Sequence, residues 1–148
     1  MRQIKIAKKH VLVIAAGLRP LPTQAALQTW LAGLPELGMV ATTEATLVGA
    51  ELAGDVTLAV IRELAGTLAR RSHDADGFVV LHGVDGLTYT AAALAFCLGG
   101  LGKGVAFTVG GPPPITIAGL SAVGQQANLV NAVQAATLDL PEVTLAFG

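Results

Sequence analysis

Four short apolar runs, separated by longer segments with helical spacing, constrain the fold of this chain more than any other feature of its sequence. The runs are Val11 to Ala15, Gly77 to Leu81, Val105 to Val109 and Val143 to Phe147. Each is continuously apolar, which is typical of strands covered by helices on both faces of a parallel sheet. A weaker run, Ala45 to Val48, is a candidate for one additional short strand. The pattern predicts an α/β fold with a doubly wound, mostly parallel sheet flanked by helices on both faces.

Four helices are predicted between these strands from polar capping residues and from the spacing of apolar residues. Their expected caps or first residues are, in chain order, Thr23, Asp55, Thr88 or Thr90, and Gln125. Pro35 is expected to stop the first helix, and the fourth is expected to end near Leu138. In the second helix, Leu58, Leu64 and Leu68 are expected to face the sheet.

The low charge content predicts that the chain associates with a partner. Its 148 residues correspond to one domain over 1–148, and only 13% of them are charged, against about 25% in a typical globular domain. A domain of this size has a large surface relative to its volume, and so few charges cover that surface poorly. We therefore expect a homo-oligomer or a complex with another protein.

The charge balance and the single cysteine exclude several function classes. Nine Lys and Arg residues against ten Asp and Glu residues give a net charge of -1, whereas nucleic-acid binders carry a basic excess. Cys97 alone forms neither an internal disulfide nor a cysteine-based zinc site, and it is expected to be buried and inert. His10 and His73 are expected to be exposed and show no metal-ligand spacing. No metal or other cofactor is predicted.

No membrane segment is predicted in the long uncharged run from Gly104 to Leu138. The run contains Pro112 to Pro114 and several Gln and Asn residues, which hydrocarbon would leave without hydrogen-bond partners. Four basic residues precede the first apolar run, as in a signal peptide: Arg2, Lys5, Lys8 and Lys9. No clean Ala-x-Ala cleavage site follows that run. We interpret the run as a buried strand and the basic residues as a solvated leader, and we expect a cytoplasmic protein.

Glycine-rich segments follow three of the predicted strands. They are Ala16 to Arg19, His82 to Gly86 and Gly110 to Pro112. In a doubly wound sheet, ligands bind beyond the carboxyl ends of the strands. These segments are therefore candidates for a pocket lined by backbone, although tight turns require glycine equally.

One long segment carries a family resemblance. Residues 76–91 read DGFVVLHGVDGLTYTA, which resembles the N-terminal domain of bacterial L-asparaginases, where the pattern is D-G-F-V-V-L-H-G-T-D-T-x-x-Y-T-A. The similarity extends over Leu101–Thr108, Asn128–Ala136 and Pro141–Val143, and more faintly over Leu31–Leu37. The resemblance implies the fold of that domain, and it implies that the family's C-terminal domain is missing.

In that family a threonine hydroxyl attacks a side-chain amide, and the resemblance implies where the catalytic groups fall in this chain. The threonine that follows the first strand falls on Leu18 or Arg19, and the first threonine of H-G-T-D-T falls on Val84. The second threonine of that motif is Gly86, and a substrate-gripping serine falls near Gly49. The family's lysine lies beyond the last strand of this chain, and its lid is shortened to a Pro-Leu-Pro segment. By the family's mechanism, no catalytic residue is expected.

Five residues remain as candidates for ligand binding: Asp85, Gly83, Arg19, Gly17 and His82. The family counterpart of Asp85 binds the α-ammonium group of the substrate, so the resemblance implies an amino-acid anchor; the alternative is a cap for the following helix. Arg19 is interpreted as a clamp for a carboxylate or phosphate, as a solvated side chain, or as the ion-pair partner of Asp85. His82 is interpreted as a structural histidine.

Three functions are compatible with the sequence. The first is an asparaginase-like domain that is catalytically inactive and acts through self-association or a protein partner. The second is a binding or sensing module for aspartate or asparagine, anchored by Asp85. The third is an active L-asparagine amidohydrolase that uses Thr88 or Thr90, although a hydroxyl on that helix is expected to lie out of reach of the substrate. None of the three involves a cofactor, a nucleic acid or a membrane.

Overall fold

Strands and helices alternate through most of the chain in the structure, a computed structural model that describes residues 6–52 and 55–148. Its strands are β1 (His10–Ala15), β2 (Thr42–Leu47), β3 (Gly77–His82), β4 (Gly104–Val109) and β5 (Val143–Leu145). Its α-helices are α1 (Gln24–Ala32), α2 (Pro35–Val40), α3 (Leu58–Arg71), α4 (Leu87–Cys97) and α5 (Ala122–Ala136). A 3-10 turn, Ala50–Leu52, follows β2.

These strands form one parallel sheet in the order β2-β1-β3-β4-β5. The chain leaves β1 toward one edge of the sheet and leaves β3 toward the other edge, so the sheet is doubly wound. One face packs against α1, α2 and α5, and the opposite face packs against α3 and α4. The predicted fold class is confirmed.

Alternate residues of the central strands supply the two cores. In β1, Val11 and Val13 point into the core beneath α1, α2 and α5, whereas Leu12 and Ile14 point into the core beneath α3 and α4. Every residue of β3 and β4 is buried as well. Burial on both faces explains why these strands are continuously apolar in the sequence.

The two edge strands differ from their predicted bounds. β5 ends at Leu145 rather than Phe147, and its side chains are half-buried or exposed because it pairs only with β4. β2 begins at Thr42, earlier than the predicted Ala45; four of its six residues are polar, and Ala45 alone is buried. An edge strand has one neighbour, so its sequence carries a weaker apolar signal than that of a central strand.

Three of the four predicted helix starts are wrong. Thr57, not Asp55, caps α3, because its Oγ1 accepts a hydrogen bond from the Val60 N–H at 3.3 Å. Gly86 precedes α4, so neither Thr88 nor Thr90 begins it. The last helix is predicted to begin at about Gln125 and to end near Leu138. In the structure Ser121 caps α5, which ends at Ala136.

The first helix is capped by Thr23 as predicted, with Oγ1 accepting a bond from the Ala26 N–H at 3.1 Å. Pro35 does not merely stop that helix. It begins α2, where the missing proline N–H is tolerated because first-turn N–H groups have no partner within a helix. Leu58, expected to face the sheet, is the first residue of α3 and is largely exposed.

Several surface predictions need correction. Cys97 is exposed rather than buried. His10 is only partly exposed, with Nδ1 2.9 Å from the Asp74 carbonyl oxygen and Nε2 3.3 Å from the Glu44 carboxylate, whereas His73 is exposed as expected.

The basic residues near the N-terminus are not all a solvated leader. Lys8 donates a hydrogen bond to the Gly38 carbonyl oxygen, and Lys9 pairs with Asp139. Arg2 and Lys5 lie outside the described residues. None of the helices in residues 6–52 and 55–148 has the length and apolar character needed to cross a membrane.

Candidate functional site

A cleft of about 590 Å³ opens at the carboxyl ends of β1 and β3. The chain turns to opposite sides of the sheet after these two strands, and ligands of doubly wound proteins bind at such a switch point. The walls come from the loop after β1, the loop after β3, a residue before α3 and the segment after β4. The lining residues are Gly17, Leu18, Arg19, Val56, Gly83, Val84, Asp85, Gly86, Ile115, Thr116, Ile117 and Ala118.

Close backbone contact between Gly17 and Gly83 forms the floor of the cleft. The Gly83 N–H donates a hydrogen bond to the Gly17 carbonyl oxygen at 3.1 Å. Gly17 has a φ of +64°, and a Cβ at this position would lie 2.3 Å from Nε2 of His82. A Cβ on Gly83 would lie 2.9 Å from the Gly17 carbonyl oxygen. Both positions therefore require glycine for steric reasons.

His82 lies beneath this floor and is 1% exposed. Its Nδ1 is 2.7 Å from the Gly83 carbonyl oxygen, and its Nε2 is 3.1 Å from Oγ1 of Thr90. Burial lowers the pKa of His82 below its usual value, and the hydrogen bond to Gly83 offsets this only in part. The side chain is a neutral packing residue with a partner at each ring nitrogen.

Arg19 lies at the rim of the cleft and is largely exposed. Its guanidinium pairs with Asp55, not with Asp85, so the predicted internal ion pair is wrong. Asp55 is also the residue that the sequence predicts as the cap of α3, and its carboxylate instead neutralises Arg19. Because both side chains are at least half-exposed, this pair contributes little to stability.

Asp85 lines the cleft between Val84 and Gly86 and is exposed. The alternative that it caps α4 is wrong, because Gly86 occupies the cap position with a φ of +74° and no side chain bonds to the first turn. Across residues 6–52 and 55–148, the Asp85 carboxylate has no hydrogen-bond or ion-pair partner. The structure thus leaves one free carboxylate facing the cleft.

The chain is similar to known proteins over most of its length. A family model described as "Asparaginase, N-terminal" matches residues 15–148. The chain belongs to the asparaginase family. L-asparaginase 1 of Escherichia coli K12 is 43% identical over 94 residues, which cover 63% of this chain and 27% of that protein. An L-asparaginase of Dirofilaria immitis is 42% identical over 72 residues, covering 48% of this chain and 12% of that protein.

A solved structure extends the similarity to almost the whole chain. L-asparaginase I of Vibrio cholerae superposes with a TM-score of 0.72 at 32% identity. The superposition covers 96% of this chain and 45% of that one. This asparaginase-family chain therefore spans less than half the length of the relatives that it matches.

The positions implied for the family's two threonines, Leu18 or Arg19 and Val84, carry no hydroxyl. Leu18 and Val84 differ in how far they are exposed to solvent. Leu18 is buried in the core beneath α1 and α5, although it also touches the cleft. Val84 is 63% exposed at the cleft wall. Among the described lining residues the hydroxyl-bearing side chain is Thr116, which is exposed.

The hydroxyls on α4 do not line the cleft. Thr90 is fully buried, and its Oγ1 lies 3.0 Å from the Gly86 carbonyl oxygen and 3.1 Å from Nε2 of His82. Thr88 is exposed and lies outside the cleft lining.

The wall formed by residues 115–118 is not among the segments predicted from the sequence. The expected segment, Gly110 to Pro112, does not line the cleft, and the Gly111 N–H donates a hydrogen bond to Oε1 of Gln125 at 3.0 Å. Nε2 of the same glutamine donates to the Ile115 carbonyl oxygen at 3.4 Å. The sequence gives no clear signal for this anchored loop, because Gln125 is one of five Gln and Asn residues in α5 and only its contacts across the fold distinguish it.

The charged and polar groups of the cleft do not form a metal site. In the described part of the chain, no three His, Cys, Asp or Glu side chains lie close enough together to hold a metal ion. Among the described residues, the cleft offers one free carboxylate, one paired guanidinium, the Thr116 hydroxyl and several backbone groups of glycines. Groups of this kind can form hydrogen bonds and ion pairs with a small polar molecule.

Proposed function

We propose that this chain is a non-catalytic asparaginase-family domain that acts through association, with a second copy of itself or with another protein. The observation that carries the proposal is the composition of the cleft, where Leu18, Arg19 and Val84 occupy the positions implied for the family's two threonines. Aliphatic side chains and a guanidinium do not attack an amide carbon. Catalytic groups that act as a unit lose about 10⁴–10⁶ in rate when members are removed.

The surface supports association. Large apolar side chains are exposed on several elements, including Met39 on α2, Tyr89 and Phe96 on α4, and Leu145 on β5. The overall charge content of 13% provides few groups to keep such a surface solvated. Exposed apolar residues that share one face, as Tyr89 and Phe96 do on α4, are typical of sites where proteins meet.

A cytoplasmic setting is part of this proposal. The apolar run that follows the basic N-terminal residues forms β1, a central strand buried on both faces. A segment built into the middle of the sheet is needed for folding, which favours this interpretation over a cleaved signal peptide.

Isothermal titration calorimetry tests the absence of catalysis directly. L-asparagine, L-glutamine and L-aspartate are injected at millimolar concentration, and a bacterial L-asparaginase serves as the positive control. We expect no sustained heat from the three amino acids with this chain. Continuous heat after each injection of asparagine or glutamine, with ammonia release, would show turnover and overturn the proposal.

A second candidate function rests on Asp85. Its carboxylate faces the cleft without a partner among the described residues, so an α-ammonium group of a small amino acid is a suitable ligand. A saturating heat without turnover in the same titration supports this function. The heat must disappear in Asp85→Asn, which keeps the side-chain shape, and persist in Glu51→Gln, an exposed acidic control outside the cleft.

A further inference from the structure

Two Asp-Gly pairs occur in the chain, Asp76–Gly77 and Asp85–Gly86. Asp-Gly is the aspartyl pair in which the following main-chain nitrogen attacks the side-chain carboxyl most readily, because glycine has no side chain to obstruct the approach. The product is a succinimide ring, which water opens to aspartate or to isoaspartate. Whether such a pair reacts in a folded protein depends on how firmly its backbone and its carboxylate are held.

The Asp85 side chain is not held. It lines the cleft at an exposed position, and its carboxylate has no hydrogen-bond or ion-pair partner among residues 6–52 and 55–148. Rotation of the side chain toward the next main-chain nitrogen therefore breaks no bond in that part of the chain. Water reaches the carboxyl group from the cleft.

The Gly86 nitrogen is free as well. Residues 84–87 form a turn in which the Leu87 N–H donates to the Val84 carbonyl oxygen at 3.4 Å, a long and therefore weak hydrogen bond. Gly86 is the third residue of this turn, and its N–H has no acceptor in the described part of the chain. Its carbonyl oxygen accepts from the N–H and the Oγ1 of Thr90, so the opening that ring closure needs is confined to the peptide before it.

The other Asp-Gly pair is firmly held. Oδ2 of Asp76 accepts a hydrogen bond from the His10 N–H at 2.7 Å, and the Asp76 N–H donates to the His10 carbonyl oxygen at 2.8 Å. Gly77 is the buried first residue of β3, where a Cβ would lie 2.0 Å from the Ala136 carbonyl oxygen. Ring closure there requires β3 to leave the centre of the sheet, which costs much of the global stability.

We propose that Asp85–Gly86 is a site of spontaneous isomerisation to isoaspartate in the folded protein. The Gly86 nitrogen forms a bond to Cγ of Asp85, and the carboxyl hydroxyl leaves with the proton of that nitrogen as water. One water molecule then opens the succinimide. Cleavage of the new bond restores aspartate, whereas cleavage between the nitrogen and the Asp85 backbone carbonyl carbon gives isoaspartate. One water is lost and one is gained, and nothing is oxidised or reduced.

Isomerisation alters the cleft. The main chain then runs through Cβ and Cγ of residue 85, which lengthens it by one methylene group, and the carboxylate is attached directly to Cα. The free carboxylate therefore moves relative to the cleft floor, and the connection from β3 to α4 changes length. The modification is independent of whether the chain catalyses a reaction or associates with a partner.

Peptide mapping of the stored protein tests this site. The full chain is kept at physiological temperature for several weeks, with circular dichroism confirming an intact fold, and a freshly purified sample is the control. Trypsin cuts after Arg71 and Lys103, so both pairs lie on one peptide, residues 72–103. Electron-transfer fragmentation distinguishes isoaspartate from aspartate at each position. We expect at least about tenfold more isoaspartate at position 85 than at position 76.

Asparagine variants of the two positions are matched reporters. Asn-Gly forms the same succinimide with loss of ammonia, and ring opening adds a negative charge that isoelectric focusing resolves. Asp85→Asn is expected to gain this charge at least about tenfold faster than Asp76→Asn, whose amide oxygen can still accept from the His10 N–H. Asp85→Glu accumulates no isomer, because its longer side chain has to close a larger ring. Asp85→Asn is therefore used freshly purified in calorimetry.

Storage in urea separates the effect of the sequence from that of the fold. In the unfolded chain both pairs are followed by a flexible glycine, and we expect them to isomerise at comparable rates. If Asp85 stays unmodified in the folded chain, the proposal is overturned, whether or not the residue reacts in urea. Equal amounts of isoaspartate at positions 76 and 85 in the folded chain overturn it as well, because the free turn then confers no reactivity.

Discussion

Gly17 and His82 are in contact so close that the glycine has no room for a side chain. A Cβ at Gly17 would meet the imidazole at 2.3 Å, and the φ of +64° at Gly17 disfavours any other residue. The contact joins the end of β1 to the end of β3, the two strands between which the cleft opens. The shape of the cleft floor is therefore tied to the packing of a buried histidine.

Replacing this glycine tests how much the contact contributes to stability. We expect Gly17→Ala to lower the free energy of unfolding by about 2–4 kcal/mol, because it combines a strained backbone with overpacking against His82. Urea denaturation measures the change. Gly99→Ala is the control, since a Cβ there meets nothing within 4 Å. A change below about 1 kcal/mol in Gly17→Ala would contradict the tight contact.

The buried histidine predicts a pH dependence of stability. Burial lowers the pKa of His82 in the folded state below its ordinary value of 6.5, so the unfolded chain binds its proton first as the pH falls. The stabilising contribution is complete above about pH 6.5 and is lost as the pH drops toward the folded-state pKa. Urea unfolding from mildly acidic to mildly alkaline pH measures this slope. We expect His82→Gln to reduce this dependence of stability on pH and His73→Gln to leave it unchanged. If neither variant changes the slope, the buried His82 is not its source.

The cap of α3 gives a matched pair of variants. Thr57→Ala removes the hydroxyl that accepts from the Val60 N–H, and we expect a loss of about 1 kcal/mol. Asp55→Ala removes only the exposed pair with Arg19, and surface changes of this kind stay within about 0.5 kcal/mol. Thermal and urea unfolding compare the two variants. If Asp55→Ala loses more stability than Thr57→Ala, Asp55 and not Thr57 caps α3.

The buried Gln125 of α5 holds in place the wall of the cleft that residues 115–118 form. Gln125→Ala leaves the Gly111 N–H and the Ile115 carbonyl without side-chain partners, and we expect a loss of about 1–3 kcal/mol. Hydrogen exchange must also rise in residues 110–118. Gln126→Ala, at the half-exposed neighbouring position, serves as the control. Unchanged exchange at Gly111 would mean that the loop is held by other contacts.

The central part of the fold is predictable from the sequence because its physical signal is local. β1, β3 and β4 are buried on both faces, and this double burial produces continuous apolar runs. The predicted β5 is too long because an edge strand lacks that signal and Phe147 merely continues an apolar stretch. A cleft beyond the carboxyl ends of the strands also follows from the doubly wound fold that such runs indicate, whereas its place between β1 and β3 depends on the strand order of the structure.

The wrong predictions trace to contacts between residues far apart in sequence. Asp55 and Thr57 are both good caps, and only the ion pair with Arg19 explains why Asp55 is engaged elsewhere. Cys97 is predicted to be buried because α4 is apolar on every side, so its spacing does not reveal which face is covered. The wall at residues 115–118 depends on Gln125, which acts across the fold.

Because its walls come from distant parts of the chain, the cleft exists only when the whole sheet has assembled. The loop after β1, the loop after β3 and the segment after β4 meet only through parallel pairings, which form slowly because they join remote residues. A nascent or truncated chain that ends before residue 115 lacks the wall of the cleft that residues 115–118 form. Any molecule that fills the cleft therefore binds the complete fold and not its fragments, and it raises the global unfolding temperature as its occupancy increases.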